Sequence, residues 1–173
     1  MEAFTEILKS TLPALIIGGV VLLVIRMFFD LERNKTRSLQ ITERTKTILP
    51  LRLQACERLI LFLERSDPSQ VVSRLLNPQI SARELHRDCL ASLREEFEHN
   101  FTQQLYISNG AWEAVKLAKE SVAHLLSKSY GELPGNATAG DFARKIIEME
   151  NSIAIRNIGV AINEVKKDIQ GLF

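Results

Sequence analysis

Glycine and proline are scarce, at 8 and 5 of 173 residues, and no segment sustains the alternation of apolar and polar side chains that a strand needs. Their shortage excludes a turn-rich β fold and leaves helices, which the Leu- and Ile-rich apolar set favours. Cysteine is nearly missing too. Cys56 and Cys89 lie far apart with no CxxC spacing, so neither a zinc knuckle nor a redox pair is encoded. Both fall in helix-like apolar patterns and read as reduced thiols acting as small hydrophobes. Excess charge is also lacking: 22 basic residues face 21 acidic ones and alternate with them along every helical segment, which argues against a nucleic-acid partner. There is no Gly-rich phosphate loop, no nucleophile motif and no internal repeat. No cofactor and no catalytic residue is therefore implied.

What is present is most conspicuous near the N-terminus. Thr11 to Ile25 reads TLPALIIGGVVLLVI without a charge, and after Arg26 the apolar run resumes with Met27-Phe28-Phe29. As a helix, Thr11 to Phe29 would be about 28 Å long, close to the roughly 30 Å of bilayer hydrocarbon. Arg26, near one end, has the reach to snorkel to the headgroups. The acidic start and the bulky Arg-Met-Phe-Phe after the core speak against a cleaved signal peptide, so residues 1–29 are expected to be an uncleaved single-span anchor. Lys9 is the only basic residue before the span, whereas Arg26, Arg33, Lys35, Arg37, Arg44, Lys46 and Arg52 follow it. The positive-inside rule then puts the N-terminus outside and residues 30–173 in the cytoplasm, with membrane lipid as the first partner. Ala14 and Gly18 form one small-xxx-small pair, a weak signal for helix pairing in the membrane.

Residues 30–50 are polar with scattered Leu and Ile, either a helical stalk or a linker, and Pro50 is the expected boundary. From residue 51 to 173 the pattern predicts a cytoplasmic helical bundle, making the whole chain all-α. LRLQACERLILFLER (51–65) sets Leu53, Cys56, Leu59, Ile60 and Phe62/Leu63 at helical spacing. Asp67-Pro68 starts a short helix, Ser81 to Glu84 forms a capping box, Ser108 caps the next helix, and Thr138 to Asp141 caps the last. GELPGNATAG (131–140) is the clearest loop.

The stretch REEFEHNFTQQLYIS (94–108) is the best candidate for chemistry. Leu85, Cys89, Leu93, Phe97, Phe101 and Leu105 repeat every four residues and are expected to face the core of one helix over 82–107. His99, Gln103 and Tyr106, with Thr102 beside them, then point outward, either as a polar face in water or as a polar and aromatic docking face for a protein partner. Glu96 and His99 have the Glu-x-x-His spacing of di-metal bundles, but such sites need two copies of that motif plus two further carboxylates, all directed inward. They are weak metal candidates. The C-terminal helix carries Phe142, Ile146, Met149 and Ile153 on one face, and then its register jumps. Ile155, Ile158, Ile162, Val165, Ile169 and Leu172 make a short seam on nearly the opposite side. Either the helix bends near Asn151–Gly159, or a straight helix packs its first half on the bundle and its second on something else. The seam then packs within the same bundle, on a partner helix, or on a copy of the chain as a homo-oligomer, where β-branched residues favour more than two strands.

ERLILFLER (57–65), REEFEHNFTQQLYIS and AWEAVKLAKE (111–120), together with the anchor-first layout, resemble an uncharacterised family of small single-span proteins from Bacteroidetes. That resemblance covers the chain from the anchor to about residue 150, implies an inner-membrane setting and brings no catalytic residues with it. The residues as a whole point to a membrane-anchored interaction or scaffold module. The rival readings are a permanent structural subunit of a larger inner-membrane complex and a metal-dependent or ligand-sensing helical-bundle enzyme.

Overall fold

The structure is a computed structural model that describes the backbone of residues 2–149 and 152–170, with side chains at 19–30, 32, 46–149 and 152–170. The described residues are all-α. They form six α-helices and one 3-10 helix, and their single β feature is an isolated antiparallel bridge between Ser81 and Thr138. The chain divides into two compact units, Met1–Ile48 and Leu49–Phe173.

Helix α1, Glu2–Arg65, supplies all of the helical structure in the first unit and continues into the second. Residues 30–49 are therefore helical, and Pro50 does not end the helix as expected. An interior proline removes one N–H donor and crowds the preceding turn, at about 3 kcal/mol or more. Burial of Ala55, Cys56, Leu59, Phe62 and Leu63 just beyond it, each at most 1% exposed, holds the helix across that defect. Within the first unit, the side chains of Val20–Ile25 and Met27–Phe29 are 44–66% exposed. Among the described residues no helix is long and apolar enough to cross a membrane. Residues 11–18, the opening of the expected span including Ala14 and Gly18, lie outside the residues whose side chains are described.

The second unit gathers the last turns of α1 with α2 (Pro68–Leu75), α3 (Ala82–Asn100), a 3-10 helix (Phe101–Leu105), α4 (Asn109–Gly131), α5 (Ala139–Ile147) and α6 (Ile153–Gln170). Helices α4 and α6 pack together extensively. They run antiparallel, since Ser108 N–H at the start of α4 donates to Asp168 near the end of α6 and Asn157 Nδ2 donates to Ser121 Oγ at 2.6 Å. Helix α3 packs against α2, α4 and α5. Phe62, Phe142, Leu59, Leu63, Leu85, Leu126 and Ile146 are the largest fully buried side chains, each contributing roughly 1.5–3 kcal/mol by leaving water.

The start signals read from the sequence hold. The Asp67 carboxylate accepts from Ser69 and Gln70 N–H, with Pro68 at the first helical position. Ser81/Glu84 and Thr138/Asp141 both close as reciprocal capping boxes. Those two helix starts lie side by side, because Ala82 N–H donates to Ala137 C=O at 3.2 Å. The single long C-terminal helix is corrected to two helices: α5 stops at Ile147, α6 begins at Ile153, and Gly159 lies inside α6. The register jump in the sequence is the signature of that break.

Candidate functional site

The expected docking face is built where α3 ends. Its helix does not run to 107. It closes at Asn100, which is buried and donates from Nδ2 to Glu96 C=O at 2.8 Å, and the chain then tightens into the 3-10 helix. Two consequences follow for the residues named from the sequence. His99 and Thr102 are exposed, while Gln103 and Tyr106 are half-buried, so the four do not form one uniformly outward stripe. The apolar stripe also fails at its end. A strict four-residue repeat drifts by about 40° per step on a helix of 3.6 residues per turn. Leu85, Cys89 and Leu93 are buried, Phe97 is half-buried, Phe101 is 49% exposed and Leu105 is 77% exposed.

The segment is nevertheless held firmly. Arg52 Nε donates to Tyr106 C=O at 3.0 Å, tying it to α1. Phe97 stacks on Trp112 at 5.4 Å, and Phe101 meets Trp112 edge-on at 5.7 Å. Lys119 Nζ lies 5.2 Å from the Phe97 ring centre, a cation–π contact. The result is a ledge along which Leu105, Phe101, Thr102 and His99 are exposed, with Phe101 joined to the Phe97–Trp112 stack.

Glu96 and His99 do come together, in a small cleft of about 180 Å³ shared with Arg58, Leu61, Phe62, Arg65 and Asn100. Glu96 is already engaged there by Arg65 at 2.8 Å. Among the described residues, no group of three or more His, Cys, Asp or Glu side chains is placed to hold a metal ion. The proposed oligomer seam is divided by α6 itself. Ile158 and Val165 are buried in the chain's own bundle, Ile155, Ile162 and Ile169 are half-buried, and Leu172 lies outside the described residues.

Titratable groups inside the bundle are tuned by burial more than by charge. Burial pushes the Cys89 thiol up to about 12, and raises Cys56 as well, so both are poor nucleophiles. His86 stacks flat on Tyr130 at 4.6 Å, stands edge-on to Phe142, and has Nε2 3.4 Å from Ser127 Oγ; burial lowers its basicity.

A family model matches residues 2–172. The chain belongs to the DUF7935 family of unknown function. No curated protein and no solved structure matches it.

One feature of this DUF7935 chain escaped the sequence. Between α4 and the α5–α6 junction lies a groove of about 640 Å³, floored by Leu125, Met149 and Ala154 and edged by Glu120, His124 and Lys128. The signal for it was the register jump near Ile153. That side chain shares its spacing with Phe142, Ile146 and Met149 but is 64% exposed on the groove's edge.

Proposed function

We propose that this protein is a membrane-anchored helical interaction module with no catalysis of its own, held at the inner membrane of a Bacteroidetes-type bacterium by residues 11–29 with its C-terminal bundle in the cytoplasm. The observation that carries the reading is the exposed apolar surface of α1 from Val20 to Phe29, which continues the uncharged run from Thr11. Apolar side chains on every side of a helix have no use for a single packing partner and are satisfied by surrounding hydrocarbon. The ledge at the end of α3 is the docking element. His99, Thr102, Gln103 and Tyr106 supply polar contacts, and Phe101 and Leu105 supply apolar area on a base that is already ordered, which lowers the entropic cost of binding.

The test is fractionation of the full chain. Cells are broken, membranes are washed with alkaline carbonate, and the pellet is treated with mild detergent. The protein is expected to stay in the washed pellet and leave only with detergent. Its appearance in the supernatant before detergent sinks the anchor. A photo-crosslinking residue at position 103 in intact cells then addresses docking. A discrete heavier adduct is expected, and it should vanish when His99, Tyr106 and Leu105 are all changed to Ala. An adduct indifferent to those changes removes the ledge from the proposal.

A further inference from the structure

The groove along α4 has a charge pattern that fits its own copy, and we infer that the α4–α6 face is a two-fold interface between two copies of this chain. This goes beyond the docking role of the ledge and does not depend on it.

Glu120, His124 and Lys128 all edge the groove and are spaced one helical turn apart on α4. A two-fold axis through His124 lays two α4 helices antiparallel. Each turn rises about 5.4 Å, so the copy's Lys128 then falls opposite Glu120, and its Glu120 opposite Lys128. An acid and a base at equal distances on either side of a central residue are self-complementary under that operation. The contact with Lys119 that Glu120 makes within its own chain, at 2.7 Å, is an exposed pair of little strength and no obstacle.

The apolar content of the same face agrees. The groove floor of Leu125, Met149 and Ala154 lies within this face, and Ile153 stands beside it at 64% exposure. The antiparallel pairing that sets Asn157 on Ser121 brings Val160 and Leu117 to the same level along the helix pair, and these are 54% and 57% exposed. Ile153 of the copy is the side chain presented to the floor, close to the axis. The seam from Ile155 to Ile169 points differently, its deepest members being spent inside the bundle.

The experiment uses the full chain in mild detergent, its molecular mass read by sedimentation equilibrium. A dimer is expected. Lys128→Glu alone and Glu120→Lys alone should each weaken it by about tenfold or more, since each turns two symmetry-related attractions into repulsions. The double reversal should restore it, which also guards against misfolding of either single variant. His124→Cys should form an oxidised dimer across the axis, against a low background because Cys56 and Cys89 are buried. A monomer overturns the inference. So does a dimer that ignores the single reversals, as one made through residues 11–29 would, or one that the double reversal fails to rescue or His124→Cys fails to crosslink.

Discussion

Helix α1 contains two apolar stretches that behave in opposite ways. From Val20 to Phe29, nine large apolar side chains are 44–66% exposed. From Ala55 to Leu63, five are at most 1% exposed, with charged Glu57 and Arg58 and apolar Leu61 facing out between them. The difference lies in spacing. The second stretch places its buried residues every three or four positions and so offers a stripe to neighbouring helices. The first is apolar on every side, and a stripe-shaped partner would leave most of it uncovered. One helix thus carries two kinds of apolar surface, and the sequence separates them by periodicity rather than by hydrophobicity.

The sharpest way to break this contrast is to charge the first stretch. Leu22→Arg combined with Val24→Arg should cost roughly 2.5–3.5 kcal/mol per arginine at mid-bilayer, moving the protein to the carbonate supernatant with its helicity intact by circular dichroism. If the variant stays in the pellet, the two stretches do not differ in kind. The converse change, Phe62→Ala in the second stretch, should lose about 3–5 kcal/mol of bundle stability and leave the pellet fraction unchanged. Denaturant unfolding followed by Trp112, the sole tryptophan, reads that loss.

Smaller effects sharpen the picture of the bundle. Ser81→Ala and Thr138→Ala should each cost about 1 kcal/mol. Their sum should miss the double variant by roughly 0.5 kcal/mol or more, because the two helix starts share a backbone bond. Backbone N–H bonds from the caps hold the Glu84 and Asp141 carboxyls below the usual carboxylate range, with the Thr138 hydroxyl the larger influence on Asp141. Stability from these pairs is full above the unfolded values near 4.3 and 3.9 and disappears as pH falls through the lower folded ones. The smallest effect belongs to His86. Its folded form favours the neutral ring, so unfolded chains take up the proton first. Stability should begin to fall as pH drops through the unfolded value near 6.5, and the loss is complete below the folded one. His86→Gln should flatten that part of the stability–pH curve, and an unchanged curve would show that the ring does not titrate on unfolding.

The sequence disclosed what is local. Four caps, the loop after Gly131 and the Leu85–Cys89–Leu93 part of the α3 stripe follow from side chains within a few positions of each other. It concealed what arises from pairing. Pro50 signalled a stop, but burial several residues later outweighs it. Leu105 matched a four-residue repeat, yet the repeat drifts and α3 gives way to a tighter helix at Phe101. Ile153 and the seam after it could not be oriented until α6 was laid against α4, and the groove exists only through that pairing. Of the ledge, exposure of His99 and Thr102 was legible, whereas the Phe97–Trp112 stack and the Arg52 bond to Tyr106 join positions 15 and 54 residues apart.

The bridge between Ser81 and Thr138 sets an order of events during synthesis. Ala82 can only give its N–H to Ala137 once the ribosome has released some fifty-five further residues. Until then the opening of α3 has only the local Ser81–Glu84 capping box, and its face toward α5 waits for that helix. The contact of α3 with α5 should therefore form late, and the pairing of α4 with α6 later still, since α6 follows that segment in the chain.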